Sequence, residues 1–350
     1  MINVSDRFSW LLLVVIAGVL IYLLAPVLTP FVVAAILAYL GDPLVDRLEK
    51  YKLPRTLAVA IVFIALTLLA IIGLLILVPM LERQFTTLAQ KVPLYVENIQ
   101  TRFVPWLDEK FGVAVQLDIE TLRKSLQSHW KEAGGIATSV LSYVTQSTAV
   151  LIGWVANLVL IPVVTFYLLR DWDVLVARIH ELIPRKREPV AVRLARSSDE
   201  VLGSFLRGQL LVMLGLAMIY SVGLWLVGLE LALLIGLISG LVSFVPYLGF
   251  IVGILLAGIA ALMQFHDFIH LLFVVLVFGI GQALEGMLLT PLLVGDRIGL
   301  HPVAVIFAVL AGGQLFGFIG VLLALPVAAV IAVVLRYLRE QYKDSTMYSG

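Results

Sequence analysis

The chain has 350 residues, 61% of them hydrophobic and only 13% charged, with no cysteine and a formal net charge of +1. Soluble domains carry about 25% charged residues, so a soluble enzyme or binding module is excluded. The balanced charge points to no nucleic acid or other acidic partner, and the missing cysteine removes disulfides, thiolate metal sites and thiol catalysis. The apolar runs are continuous and rich in Leu, Val, Ile, Ala and Gly. Alternating segments with a polar lumen face would mark a β-barrel, so the expected fold is an all-α polytopic integral membrane protein. About seven to eight hydrophobic segments, several of them broken or hairpin-like, and one helical soluble insertion are expected.

Arg7 precedes an apolar stretch from Trp10 to Leu40, and no small-residue cleavage site followed by polar sequence is present, so this segment reads as retained rather than as a cleaved signal. As one helix it would be about 46 Å long, well beyond a hydrocarbon core of about 30 Å. Pro26 and Pro30 remove backbone donors in its middle. The expectation is two short helices, roughly 10–24 and 28–40, forming a hairpin or re-entrant pair. One long helix with a proline kink is the alternative.

The loop Gly41–Arg55 carries Arg47, Lys50, Lys52 and Arg55 against Asp42, Asp46 and Glu49, which places it in the cytoplasm. Thr56–Val78 is an uncharged span ending at Pro79. Residues 81–147 form an extracytoplasmic insertion with seven Lys/Arg and seven Asp/Glu. Phe85, Leu88, Val92, Val96, Ile99 and Phe103 recur there at helical spacing, interrupted by Pro93 and Pro105, so short amphipathic helices are expected. Asp108, Glu109, Asp118 and Glu120 lack the spacing of a calcium loop and read as a solvated face. A span at 148–169 ends in the aromatic and charged anchor Phe166–Asp173. Arg170–Arg207, with eight Lys/Arg against six Asp/Glu, reads as a cytoplasmic, basic, surface-hugging linker.

Beyond Gly208 the character changes: from there to Leu335 the only Lys or Arg is Arg297. After a span at 208–228, the run Leu231–Met263 would be about 50 Å as a single helix. Pro246 and Gly249, with Tyr247 between them, interrupt it and free backbone carbonyls to line a cavity. The run His301–Leu335 repeats the arrangement, with Gly312–Gly320, including Gln314, at its centre and Pro326 following. Paired broken segments are a pointer to a transporter binding site; close packing through glycine is the alternative. If both runs turn back, Gln264–His270 lies outside, Gly295–Leu300 inside, and the tail with Arg336, Arg339 and Lys343 is cytoplasmic. Both termini are expected in the cytoplasm.

Glu285 lies in the apolar run 271–294 and is the one acidic residue deep in such a run. An ionisable group at that depth is costly unless paired, protonated or in an enclosed aqueous cavity, and it marks function. Gln282, three residues earlier, shares its helix face, and Gly279 and Gly286 leave room for another helix to approach. With no Lys or Arg at that depth, the carboxyl reads as a group that takes up and releases a proton; a permanently protonated, hydrogen-bonded Glu is the alternative. His266 and His270 are four apart but lack a third ligand, with Asp267 between them pointing elsewhere, so an interfacial pair is expected rather than a metal site. No nucleophile elbow, phosphate loop or HExxH sequence is present, and neither an enzyme nor a cofactor is expected. The residues assigned to a solute or ion pathway are Glu285, Gln282, Pro246, Tyr247, Gly249, Gln209 and Gln314.

Taken in order, Pro54-Arg-Thr-Leu-Ala58, Phe166-Tyr-Leu-Leu-Arg-Asp171, Gly208-Gln209, Phe244-Val-Pro-Tyr-Leu-Gly249, Gln282 with Glu285 and Pro291, Gly295, Leu300-His-Pro302 and the Gly312–Pro326 stretch resemble the autoinducer-2 exporter family of permeases. The resemblance covers nearly the whole chain. It implies a multi-helix bacterial inner-membrane protein, with Gln282, Glu285 and Pro246–Gly249 as family-pattern positions. Members are associated with export of the quorum-sensing furanone and with Na⁺(Li⁺)/H⁺ antiport, so the implied partners are a small polar solute or a monovalent cation and proton, within a lipid bilayer. A homo-oligomer is compatible with the sequence. The leading expectation is a gradient-driven exporter, with the antiporter as its rival and a non-transporting scaffold that docks through 81–147 as the alternative of another class.

Overall fold

A hydrocarbon core offers backbone N–H and C=O groups no water, so a spanning segment satisfies them within itself as a helix. The computed structural model describes residues 4–98, 148–294, 301–345 and 348, and the described elements are helical throughout. They are α1 (Val4–Glu49), α2 (Arg55–Asn98), α3 (Thr148–Glu181), α4 (Glu188–Val227), α5 (Ala232–Val242), α6 (Leu248–Phe265), α7 (Phe268–Leu284), a π-helical segment (Glu285–Val294) and α8 (Pro302–Lys343). Six described helical segments are long and apolar enough to cross a membrane. The chain is an all-α polytopic membrane protein. Most of the insertion, with the acidic residues Asp108 to Glu120, and the segment 295–300 lie outside the described residues.

Three expectations about helix limits are corrected. The stretch 10–40 is not a hairpin: α1 runs unbroken through Pro26 and Pro30. A proline costs an interior helix one hydrogen bond, here the bonds to the Tyr22 and Pro26 carbonyls, and the helix continues past both losses; Thr29 Oγ1 adds a bond to the neighbouring Ala25 carbonyl at 2.9 Å. Likewise α2 does not stop at Pro79 but continues through it and Pro93 to Asn98. The basic linker 170–207 is no separate surface element. Its residues extend α3 and begin α4, with a turn over 182–187 between them.

The chain divides into two compact units, one of residues 1–66, 157–209 and 290–350, the other of residues 67–156 and 210–289. In the first, Ala38 and Val45 of α1, Ala58, Val59 and Val62 of α2 and Leu169 of α3 form a buried core. Arg55, at the start of α2, closes one end of it. Its guanidinium pairs with Asp42 (3.1 Å), Glu49 (3.2 Å), Asp46 (3.8 Å) and Asp173 and donates to the carbonyls of Leu169 and Arg170. Asp42, Asp46 and Glu49 follow one another at the four- and three-residue steps that bring side chains to one helix face, so one fork joins α1, α2 and α3.

In the same unit α8 reverses at Gly317, whose φ of 60° and ψ of −140° are non-helical and belong to backbone space that glycine enters freely. A Cβ built on Gly312 would lie 2.9 Å from the Gly320 carbonyl carbon and 3.3 Å from the Ala324 methyl. In an uninterrupted helix those glycines stand about 12 Å apart. The two arms therefore fold back on each other through glycine.

In the second unit the C-terminal half of α4 packs against α5 through Ala217 on Gly240 and Ser221 on Gly236, and against α7 through Tyr220 on Gly281 and Gly223 on Val277. The break expected around Pro246 separates α5 from α6, and these two helices pack together. Phe278 of α7 stacks on Tyr220 with ring centroids 4.5 Å apart and meets Phe250 of α6 edge-on at 6.3 Å.

Candidate functional site

Glu285 stands where α7 gives way to the π-helical segment. Pro291 lies inside that segment and has no N–H to offer the carbonyl of Met287, four residues back, so one bond of the α-type ladder is missing there. Wider π turns recur at functional sites. Glu285 is half-buried, and its Oε2 accepts from Gln282 Nε2 at 3.3 Å. N–H···O bonds run to about 3.2 Å, so this contact is a long one, and a carboxyl group with several lone pairs keeps capacity for other partners. The structure brings Glu285 and Gln282 together as their spacing predicts.

Three buried polar atoms of the same unit have no hydrogen-bond partner among the described residues: Gln282 Oε1, Tyr220 OH and Ser221 Oγ. Tyr220 is 0% exposed. An orphaned buried hydroxyl costs about 1–3 kcal/mol, and such groups are rare enough in native proteins to need a reason. Residues Gly208–Val294 contain no Lys or Arg, so the apolar part of α4 and all of α5, α6 and α7 offer Glu285 no cation. The arrangement can hold a proton, or a small ligand met by oxygen atoms, within apolar surroundings.

Pro246 and Tyr247 are exposed in the turn between α5 and α6, with Tyr247 in the left-handed region at φ 65°. Gly249 is different. It is buried, and a Cβ there would lie 2.7 Å from both Cβ and N of Ser243, so it serves close helix packing. Gln209 is buried in α4 and Gln314 is exposed in α8, three residues before Gly317; both belong to the first unit.

His266 and His270 do not share a helix face: His266 is the left-handed C-cap of α6, and His270 is in the first turn of α7. Asp267 does not point elsewhere. It caps α7 by accepting from the His270 backbone N–H (3.0 Å) and lies 2.8 Å from His270 Nδ1. The backbone bond, and then the ring, hold its carboxyl below the usual range. His270 also stacks on Phe265 at 3.7 Å. Gln264 ties this end of the unit to the α4–α5 turn, accepting from Glu230 N–H and donating to Gly228 O.

A cavity of about 400 Å³ between α4 and α7, with Ile219, Gly223, Phe273, Val277 and Ile280 in its wall, is lined by apolar residues only. Ligand sites orient polar solutes with a few placed polar groups, which this cavity lacks. The residues that sequence reasoning missed are Tyr220 and Ser221. The one available signal was a polar pair inside the stretch 210–228, which is otherwise apolar.

A family model described as AI-2E family transporter matches residues 11–340. The chain is 28% identical to "Putative transport protein YueF" of Bacillus subtilis (strain 168), across 86% of this chain and 81% of that one. It is 28% identical to "Putative permease PerM" of Escherichia coli (strain K12), across 93% of this chain and 91% of that one. With "AI-2 transport protein TqsA" of the same strain it shares 23% identity, across 92% and 91%.

Proposed function

The chain belongs to the AI-2E transporter family, and from that premise we propose that it is a secondary exporter of a small polar solute, an autoinducer-2-like signal by family likeness, driven by the proton or sodium gradient through Glu285. It is a multi-pass bacterial membrane transporter. The observation that carries the proposal is the Gln282–Glu285 pair, a carboxyl at an α-to-π junction in a stretch without Lys or Arg. A cationic partner would lock the carboxylate in its charged form; without one it can be loaded and unloaded during a cycle.

The antiporter reading draws support from the open oxygen atoms of Gln282 and Tyr220, which suit a small hard cation. Reconstitution into proteoliposomes separates the two. Flux of a hydroxylated furanone, or of another small polar solute from a panel, that depends on ΔpH supports the exporter. Na⁺- or Li⁺-dependent proton movement without solute flux supports the antiporter. Neither activity in folded protein overturns both.

A further inference from the structure

In a helix each Cα–Cβ bond tilts toward the N-terminus, so a side chain covers the turn before its own. Glu285 therefore leans toward Gly281, four residues earlier on the same face, and its contact with Gln282 shows that lean. Gly281 is where Tyr220 of α4 enters: a Cβ on Gly281 would lie 2.9 Å from Tyr220 Cζ, the carbon that bears the hydroxyl. Stacking on Phe278 fixes the ring, so a fully buried hydroxyl without a partner among the described residues is carried by a ring edge that meets Gly281, one turn before Glu285. Among the described residues, α5 and α6 bring no competing charge. Residues 232–242 of α5 and 248–265 of α6 contain no Asp, Glu, His, Lys, Arg or Tyr, and besides Glu285 the packed stretch of α7 holds only His270, about 16 Å along the helix from Gly281.

We propose that Tyr220 is a positioning residue of the Glu285 site, its hydroxyl donating a hydrogen bond to the ionised carboxylate and accepting one from the protonated carboxyl. A hydroxyl has one donor and two acceptor lone pairs, so by rotating it pairs with both forms. Lysine or arginine could serve only the charged one. The proton that Glu285 gives up passes to the transport pathway, and Tyr220 keeps its own throughout. The inference rests on the reading of Glu285 as a group that changes protonation during transport.

The test is pH-difference infrared spectroscopy of the reconstituted full chain, alongside flux. The carboxyl C=O band that is present in the parent protein and absent from Glu285→Gln identifies Glu285. Tyr220→Phe keeps the ring on Gly281 and Phe278 and removes only the hydroxyl. The expected result is a displaced Glu285 band with at least about a threefold loss of gradient-driven flux, the scale of one hydrogen bond, and an unchanged thermal unfolding midpoint. Replacing Tyr220 by 3-fluorotyrosine, which retains a more acidic hydroxyl, is expected to move the same band, and it decides the matter should the Phe variant not fold. A band and a flux identical to the parent's in these variants overturn the role of Tyr220 while leaving Glu285 as the coupling group. A titrating band that survives Glu285→Gln overturns the Glu285 reading, and the Tyr220 role with it.

Discussion

Gln282 and Glu285 meet amide to carboxylate at 3.3 Å, at the point where α7 loosens into a π-helical segment. Neither side chain is saturated by the other: Gln282 Oε1 is buried and unpartnered among the described residues. Such a pair is suited to a group that is charged in one step and neutral in the next, because a fully satisfied carboxylate resists protonation.

Glycine contacts set the first expectation. The Gly312–Gly320 approach in α8 and the seat of Gly249 against Ser243 leave no room for a side chain. Gly320→Ala and Gly249→Leu should each destabilise by about 1–3 kcal/mol, the usual cost of overpacking. Thermal unfolding of the purified protein measures it. Full recovery of folded protein with transport lost in Gly249→Leu would return that residue to the wall of a pathway.

Arg55 faces four carboxylates with a side chain that is 18% exposed. Removing one partner of a buried pair costs about 3–5 kcal/mol, and screening at the exposed Asp46 and Asp173 lowers this, so Arg55→Met should cost about 2 kcal/mol. Asp42→Asn in the same chain should restore part of the loss. Unfolding midpoints of the single and double variants test this; equal midpoints for Arg55→Met and the parent would contradict it.

Asp267 makes stability depend on pH. Its carboxyl is held below the ordinary range by the His270 backbone N–H and ring, so the native state favours the ionised form. Stability from this cap is fully present above the unfolded value of about 3.9 and is lost as pH falls through the lower folded value. The unfolding midpoint of Asp267→Ala should lie below the parent's at pH 7, and the gap should close in acid. A gap that stays constant down to pH 3 would rule out the cap as its source.

Topology follows from Lys and Arg placement. Single cysteines at Lys50, in the α1–α2 turn, at Arg187, in the α3–α4 turn, and at Lys343, at the end of α8, should label from the cytoplasm, and one at Lys110 from outside. No native cysteine competes. Labelling of Lys110 and Arg187 from the same side would contradict the proposed orientation.

What the sequence made legible was what carries a local cost. An acid in an apolar run, as at Glu285, and a Gly/Pro cluster in a run too long to span, as at Pro246 and Gly312–Gly320, announce themselves without a partner. Pro26, Pro30 and Pro79 misled because a proline forbids one hydrogen bond and not a helix. The extensions of α3 and α4 were hidden because charge asymmetry reports the membrane interface and says nothing of secondary structure. Tyr220 was hidden for a different reason. In sequence it is one more aromatic residue of an apolar span, and only once α4 packs on Gly281 is its hydroxyl buried without a partner among the described residues.

The central claim is that Glu285 exchanges a proton during transport. Glu285→Gln keeps the shape and the contact with Gln282 but has no proton to release. In proteoliposomes with an imposed ΔpH, the variant should fold as the parent does and lose gradient-driven flux at least about a hundredfold, the scale on which positioned proton transfer contributes. Parental flux with parental pH dependence in Glu285→Gln would contradict the account.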